Sequence, residues 1–385
     1  MTPRGFPVEE FRTRTARAQD AMAKAGLDAL LLTTEPELRY FTGFLTRFWE
    51  SPTRPWFLIL PRTGDPVAVI PAIGAALMRT TWIADIRTWR SPDYEDDGVS
   101  LLAGALCDLV AERGAIGVPS GAETHLRMPL ADWEVLKRRT GGRVFRDDAG
   151  VMRRLRMVKS GAEIEKIRES CAIANRAFAR VPEIARQGVS LAQVFRDFQR
   201  LCLEEGADWV PYVAGGAAPG GYPDVISPAT ERPLAPGDVL MLDTGLVRDG
   251  YFCDFDRNYS VGPAAPELIR AHDRLIAATL AGFDRARPGA TAAEVFAAMD
   301  HVLTGGSGGS DAGRFGHGLG MQLTEPPSLI PADPTVLEPG MVLTLEPGVE
   351  LGPDRWLVNE EDIVIGEGGA EWLSDPVRRL AELPL

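Results

Sequence analysis

Leu234-Ala-Pro-Gly-Asp-Val-Leu-Met-Leu-Asp-Thr-Gly245 returns later in the chain as Leu337-Glu-Pro-Gly-Met-Val-Leu-Thr-Leu-Glu-Pro-Gly348. A second pair precedes each copy: Gly188-Val-Ser-Leu-Ala-Gln-Val-Phe195 and Gly289-Ala-Thr-Ala-Ala-Glu-Val-Phe296. The offsets are 103 and 101 residues and the order is the same, which points to a duplicated unit rather than a chance match. In both copies a Ser or Thr followed three residues later by Gln or Glu opens a helix. The apolar runs that come later read as strands. The duplication predicts two equivalent helix-plus-sheet halves about a pseudo-two-fold axis, with Asp243 of one half matching Glu346 of the other.

Val239-Leu-Met-Leu-Asp243 is an apolar strand ending on a carboxylate, and Tyr251-Phe-Cys-Asp-Phe-Asp256 runs back from an Asp-Gly hairpin signal at Asp249-Gly250. A turn centred between Arg248 and Asp249 sets Asp243 directly across from Asp254. Two carboxylates so placed repel, and burying them requires protonation, a cation or exposure. In the second copy, Met341 to Glu346 is a strand, Gly352-Pro-Asp-Arg355 a turn, and Trp356 to Ile365 the return. That brings Glu346 within one residue of facing Glu360 or Glu361. Gly316-His-Gly-Leu-Gly320 adds a histidine in a stretch whose backbone is free to approach a ligand closely. Four carboxylates and one imidazole suit one or two divalent cations of the Mn, Fe, Co or Zn type. Two such ions balance four negative charges and leave a bridging hydroxide as nucleophile.

Outside this constellation the chain is ordinary. It has 385 residues, 45% hydrophobic and 25% charged, with a formal net charge of −13. That length suggests two domains, and the acidic balance disfavours nucleic acid and anionic membranes as partners. The longest apolar run, Val67 to Met78, contains Pro71 and is too short to span a bilayer. Cys107, Cys171, Cys202 and Cys253 are widely spaced, which reads as reduced thiols in a cytoplasmic protein. The first part alternates helix and strand: a helix over Glu9–Lys24, strands near residues 28–33, 56–60, 67–70 and 115–118, and a helix near 98–113. This is an α/β pattern. Ser160-Gly-Ala-Glu163 is a capping box opening another helix. The domains are therefore expected at residues 1–155 and 156–385. Gly305-Gly-Ser-Gly-Gly309 lacks the Lys of a phosphate loop and reads as a flexible connection.

These residues, in this order, resemble the pita-bread metallopeptidase family: methionine aminopeptidase, aminopeptidase P, prolidase and the creatinase-like enzymes. The N-terminal part resembles the smaller domain of the prolidase and creatinase branch, through Leu38-Arg-Tyr-Phe-Thr-Gly-Phe44 and Leu155-Arg-Met-Val-Lys-Ser160. The resemblance implies an α/β creatinase-like N-terminal domain and a pita-bread C-terminal domain. It also implies a ligand set for two divalent metal ions: Asp243, Asp254, His317, Glu346 and Glu360. Glu360 is preferred to Glu361 by the count to Gly-Glu-Gly-Gly-Ala-Glu.

Two departures bear on the reaction. The peptidases of this family carry two further histidines that contact substrate and help move protons. The chain has Val225-Ile-Ser-Pro228 where one belongs and Thr324 in place of the other. After the bridging acid, where the family has Asp-x-Thr-Arg-Thr, the chain has Asp254-Phe-Asp-Arg-Asn258. Residues two apart on a strand share a face, so Asp256 is expected to point with Asp254 towards the metals unless it pairs with Arg257 or Arg248. Glu346, Asp256 and Thr324 are the candidate catalytic groups, Asp256 and Thr324 sharing the lost histidines' work with Tyr222. Tyr222 is also placed with Phe48, Trp49 and Arg54 as a candidate substrate contact. Phe48, Trp49 and Arg54 lie in an aromatic loop that either packs within its own domain or, by resemblance, reaches a partner's pocket in a homodimer. The expected activity is hydrolysis of an Xaa-Pro-type peptide amide. The alternative is a creatinase-like hydrolase or lyase acting on a small molecule of the ectoine or dimethylsulfoniopropionate type.

Overall fold

The computed structural model describes residues 3–51, 54–307 and 313–385. The chain separates into two compact units, residues 3–156 and 157–385. Gly308 and Gly309 of the glycine-rich stretch lie outside the described residues.

The first unit is a mixed sheet with helices. Its strands are β1 (Ala29–Leu32), β2 (Phe57–Pro61), β3 (Val67–Pro71), β4 (Asp85–Trp89), β5 (Ala115–Val118) and β6 (Val144–Asp147), in the order β4-β3-β2-β1-β5-β6. β1, β2 and β3 are buried along their whole length, which is why they read as continuous apolar runs rather than alternating ones. Leu31, Ile59, Val69, Leu102, Leu106 and Ile116 form the core between sheet and helix. The helix Val8–Ala25 stops at Gly26 in the left-handed region. The Leu38–Phe44 motif falls on a helix, Glu35–Thr42, that periodicity did not announce. Thr34 and Glu37 form a reciprocal capping box that starts it.

The second unit holds the duplication. One sheet contains β7 (Trp209–Pro219), β8 (Asp238–Arg248), β9 (Tyr251–Phe252) and β10 (Phe255–Val261). The other contains β11 (His317–Gly318), β12 (Glu325–Ser328) and β13 (Val342–Leu345). The ribbon β14 (Gly348–Gly352) and β15 (Arg355–Val358) follows, then β16 (Glu361–Gly366), β17 (Gly369–Trp372) and β18 (Ala381–Leu383). The sheet orders are β18-β10-β8-β7, with β9 on β8, and β12-β11-β13-β16-β17.

Backbone pairing repeats between the halves. Gly188 N–H bonds Leu234 O as Gly289 N–H bonds Leu337 O, and Leu191 bonds Arg232 as Ala292 bonds Thr335. Ser190 and Thr291 each cap their helix through the N–H three residues on. The two repeated motifs therefore meet each other within each half: the helix-start segment docks on the turn that leads into the strand. Val239, Met241, Leu275, Phe296, Met299, Leu343 and Ile363 share one core.

The first hairpin differs from its expected register. Val247 pairs with Phe252 and Asp243 with Asp256, not with Asp254. The central turn residues are Asp249 and Gly250, with φ of 49° and 80°. A two-residue turn with both φ positive centres between those two residues, which shifts each partner by two positions. Asp243 is also not a strand end, because β8 runs on to Arg248. In the second half the Leu345–Glu361 pairing puts Glu346 beside Glu360, as the sequence suggested.

Candidate metal centre

Asp243 sits midway along β8, and Asp254 at the break between β9 and β10. From the other sheet come His317 at the start of β11, Glu346 just after β13 and Glu360 just before β16. Ligand atoms of Asp254, His317 and Glu360 all lie within 4.8 Å of one another. His317 Nε2 is 3.5 Å from Asp254 Oδ2 and 3.8 Å from Glu346 Oε1. All five expected ligands thus come to one place from five separate points along the chain.

The glycines around His317 serve packing rather than ligand approach. A Cβ on Gly316, at φ 145°, would lie 2.2 Å from Thr344 O, and one on Gly318 2.2 Å from Pro326 O. Both glycines let the histidine's backbone press against the strands beside it. His317 Nδ1 lies 2.9 Å from Gly318 O, which assigns the hydrogen to Nδ1 and leaves the Nε2 lone pair facing the acids. Burial, with Arg314 adding to it, pushes the imidazole down to about 4, so it is neutral and fit to bind a metal.

The acids are strongly perturbed. Burial raises Asp243 to about 7 and Glu346 to about 7. Burial first, and neighbouring carboxylates second, also push Asp254 and Glu360 well above the usual carboxylate range. Asp243 Oδ1 and Asp256 Oδ2 are buried acceptors with no hydrogen-bond donor among the described residues, and Glu346 Oε1 has Arg314 Nε beside it at 3.5 Å, outside hydrogen-bond geometry. Crowded, buried, unpartnered carboxylate oxygens facing a neutral imidazole are what bound divalent cations would satisfy, so the residues present fit such ions.

Two acids outside the five hold the ligands' backbones. Asp362 Oδ2 accepts Asp254 N–H at 2.9 Å, and Asp256 Oδ1 accepts Glu360 N–H at 3.0 Å. Asp256 lies two residues after one ligand and Asp362 two after the other, so each half clamps the ligand of the opposite half. Both acids are fully buried. Asp362 was missed by the sequence reasoning, although the duplication carried the signal. Asp256 points inward as expected and forms no ion pair with Arg248, which engages Asp208 and Glu169.

Other expected site residues have mixed placements. Thr324 is half-buried, and its hydroxyl accepts a hydrogen bond from Arg314 Nη2 at 3.4 Å. Arg314 Nε is also 3.5 Å from Glu346 Oε1, a contact that no local sequence pattern marks. Tyr212 lies beside Asp243 and helps hold its pKa down; it too was missed. Tyr222, expected to touch substrate, has no exposed surface. Its hydroxyl accepts Val358 N–H at 2.6 Å and its backbone pairs with Trp356, so it braces β15 instead. The absent first histidine's stretch is an exposed turn in which Asp224 accepts the N–H groups of Ile226 and Ser227.

In the first unit, Phe48 and Trp49 pack on Trp56. Arg54 lies over Phe48, and Arg127 donates to the carbonyls of Trp49, Ser51 and Arg54. These contacts correspond to the loop packing within its own domain. Pro52 and Thr53 of that loop lie outside the described residues.

The chain belongs to metallopeptidase family M24, whose model matches residues 165–372. The creatinase/prolidase N-terminal domain model matches residues 14–158. A probable dipeptidase PepE of Mycobacterium tuberculosis is 33% identical, with both chains covered in full. The crystal structure of dipeptidase PepE from Mycobacterium ulcerans superposes with a TM-score of 0.84 at 30% identity, covering 99% of this chain and 100% of that one. A prolidase from Thermococcus sibiricus has a TM-score of 0.86 at 23% identity, covering 98% and 100%. The fold is thus the creatinase-like N-terminal domain with the pita-bread C-terminal domain, and the protein is a metal-dependent hydrolase.

Proposed function

We propose that this M24 protein is a dinuclear-metal dipeptidase that hydrolyses the amide C–N bond of short peptides, Xaa-Pro dipeptides among them. Asp243, Asp254, His317, Glu346 and Glu360 would hold two divalent ions of the Mn, Fe, Co or Zn type. When bound, such ions supply an acidified water and polarise a carbonyl. The observation that carries the reading is the set of unpartnered buried carboxylate oxygens around a neutral, tautomer-fixed His317.

The chain's own residues then divide the work. Glu346 has a side chain 21% exposed, against 5% for Asp254 and 4% for His317, so it is the ligand best placed to receive a proton from the attacking water and return it to the leaving nitrogen. Asp256 acts through Glu360 as a positioning residue rather than as a proton carrier. Thr324 contributes its hydroxyl at the edge where substrate arrives. A homodimer, with Phe48, Trp49 and Arg54 of one subunit near the other's pocket, belongs to the same reading; a fully active monomer would remove it. Widely spaced free thiols suit a cytoplasmic setting.

The test is metal analysis of the purified protein, followed by turnover of Ala-Pro, other Xaa-Pro dipeptides, creatine, ectoine and dimethylsulfoniopropionate. Two bound ions per chain with dipeptide cleavage is the expected result. Cleavage of only a small osmolyte overturns the dipeptidase assignment.

A further inference from the structure

We infer that Arg314, held by Thr324, supplies an electrophilic contact to the scissile carbonyl oxygen from beside the position where the family's second substrate-contacting histidine belongs. The inference rests on the hydrolase reading above.

The site has lost two substrate-contacting histidines and has no other imidazole to replace them. His272 is buried on the helix Pro266–Arg285 with neither ring nitrogen bonded among the described residues. His125 and His301 are exposed. Arg314 reaches the vacated position directly: Nη2 lies 3.4 Å from the hydroxyl of Thr324, the residue standing where the second histidine belongs. Its Nε is 3.5 Å from Glu346 Oε1, so its charge sits next to the proposed proton carrier and not at a distant binding edge. The Arg314 side chain is 34% exposed beside nearly sealed ligands, which makes it available to an incoming substrate.

Charge balance points the same way. Four ligand carboxylates and two divalent ions would sum to zero, and an attacking hydroxide would add one negative charge. The guanidinium lies where that charge passes to the carbonyl oxygen under attack. Among the described residues, a second arginine close to the ligands, Arg257, has a side chain only 11% exposed. Its donors are already engaged by the carbonyls of Asp256, Glu360 and Asp375 and by the Glu361 carboxylate.

In the step, the water oxygen bonds to the carbonyl carbon and the π pair moves onto the carbonyl oxygen, where Arg314 stabilises it. The pair then returns, the C–N bond breaks, and nitrogen leaves as an amine carrying the proton the water released. A guanidinium keeps its protons across the working pH range. Arg314 therefore supplies an electrophilic contact and none of the proton transfer, which stays with Glu346.

The experiment compares wild type, Arg314→Met and Arg314→Lys, each loaded with metal and checked for metal content. It reads turnover of Ala-Pro and Ala-prolinamide, and calorimetric binding of a phosphinic Ala-Pro analogue and of proline. For Arg314→Met, kcat should fall about 10²–10³-fold on both substrates with little change in KM. Phosphinate affinity should fall by a similar factor while proline binding and metal content stay constant, and Arg314→Lys should recover part of the loss. A raised KM confined to the free-carboxylate substrate overturns the inference in favour of a carboxylate anchor. Unchanged kinetics or lost metal overturns it as well, leaving Arg314 a charge-balancing or ligand-supporting residue. A wild type inert towards every peptide refutes the hydrolase reading instead, and the phosphinate comparison still judges Arg314.

Discussion

Replacing Asp362 by Ala removes the acceptor that holds the Asp254 N–H at 2.9 Å, and Asp256→Ala does the same for the Glu360 N–H at 3.0 Å. Both carboxylates are 0% exposed, so bulk water has no path to either stranded donor. An unsatisfied buried N–H costs about 1–3 kcal/mol. Part of that cost falls on the geometry of the ligand whose backbone has lost its anchor. Each alanine variant should therefore bind a divalent ion about 10–100-fold more weakly. Because the two clamps are equivalent across the pseudo-two-fold axis, the two losses should be similar. Asp362→Ala should be the less stable protein, since Asp362 also accepts the Cys171 thiol at 3.3 Å. Asparagine keeps a carbonyl oxygen as acceptor, so Asp256→Asn and Asp362→Asn should retain most of the affinity. The assay is a competition titration of Mn²⁺ between metal-free protein and a fluorescent chelator, with melting curves for each variant. Wild-type affinity in both alanine variants, or asparagine variants as damaged as the alanine ones, would refute the clamp. The second outcome would return Asp256 to a role that needs its charge or its proton.

Three further outcomes follow from the same geometry. Asp243 and Glu346 titrate near 7 when no metal is bound, above their unfolded values of about 4. The folded state then holds protons the unfolded state has released, so metal-free protein should lose stability as pH rises from about 4 to about 7. Added Mn²⁺ should reverse that loss by about 4 kcal/mol at a thousandfold excess over Kd, read from melts in EDTA and in metal. His272 is held down to about 4 by burial; its contribution is present above about 6.5 and is lost as pH falls towards 4, by up to about 3 kcal/mol. His272→Leu should flatten that limb of the denaturation profile, and an unchanged limb assigns acid sensitivity to other groups. Tyr222→Phe removes the acceptor for Val358 N–H at 2.6 Å and should destabilise the protein by about 1–2 kcal/mol with KM unchanged; a raised KM at wild-type stability restores Tyr222 to the substrate.

Local chemistry made the gathering of acids around His317 legible in advance, while the choice of Glu360 over Glu361 came from the family resemblance. An acid closing an apolar run, a histidine between glycines and a duplicated motif are all readable without knowing which distant segments meet. The hairpin register was legible in principle too: the Asp249-Gly250 pair contained it, but a turn centre misplaced by one residue moves every cross-strand partner by two. That is why Asp256, not Asp254, faces Asp243. The Glu35–Thr42 helix was hidden because every residue from Pro36 to Thr42 is buried, which erases the polar face that periodicity needs.

By itself the sequence determined that two related halves exist and that each carries an acid after an apolar run, and the family resemblance added that two proton-shuttling histidines are gone. Only the tertiary structure decided which groups stand in the emptied places. Arg314 meets Thr324 and Glu346, and Asp362 meets Asp254 across 108 residues. The physical reason is that side-chain identity and spacing constrain neighbours one turn or one strand away. Contacts between segments a hundred residues apart depend on how two whole sheets close on each other, and no local pattern encodes that distance.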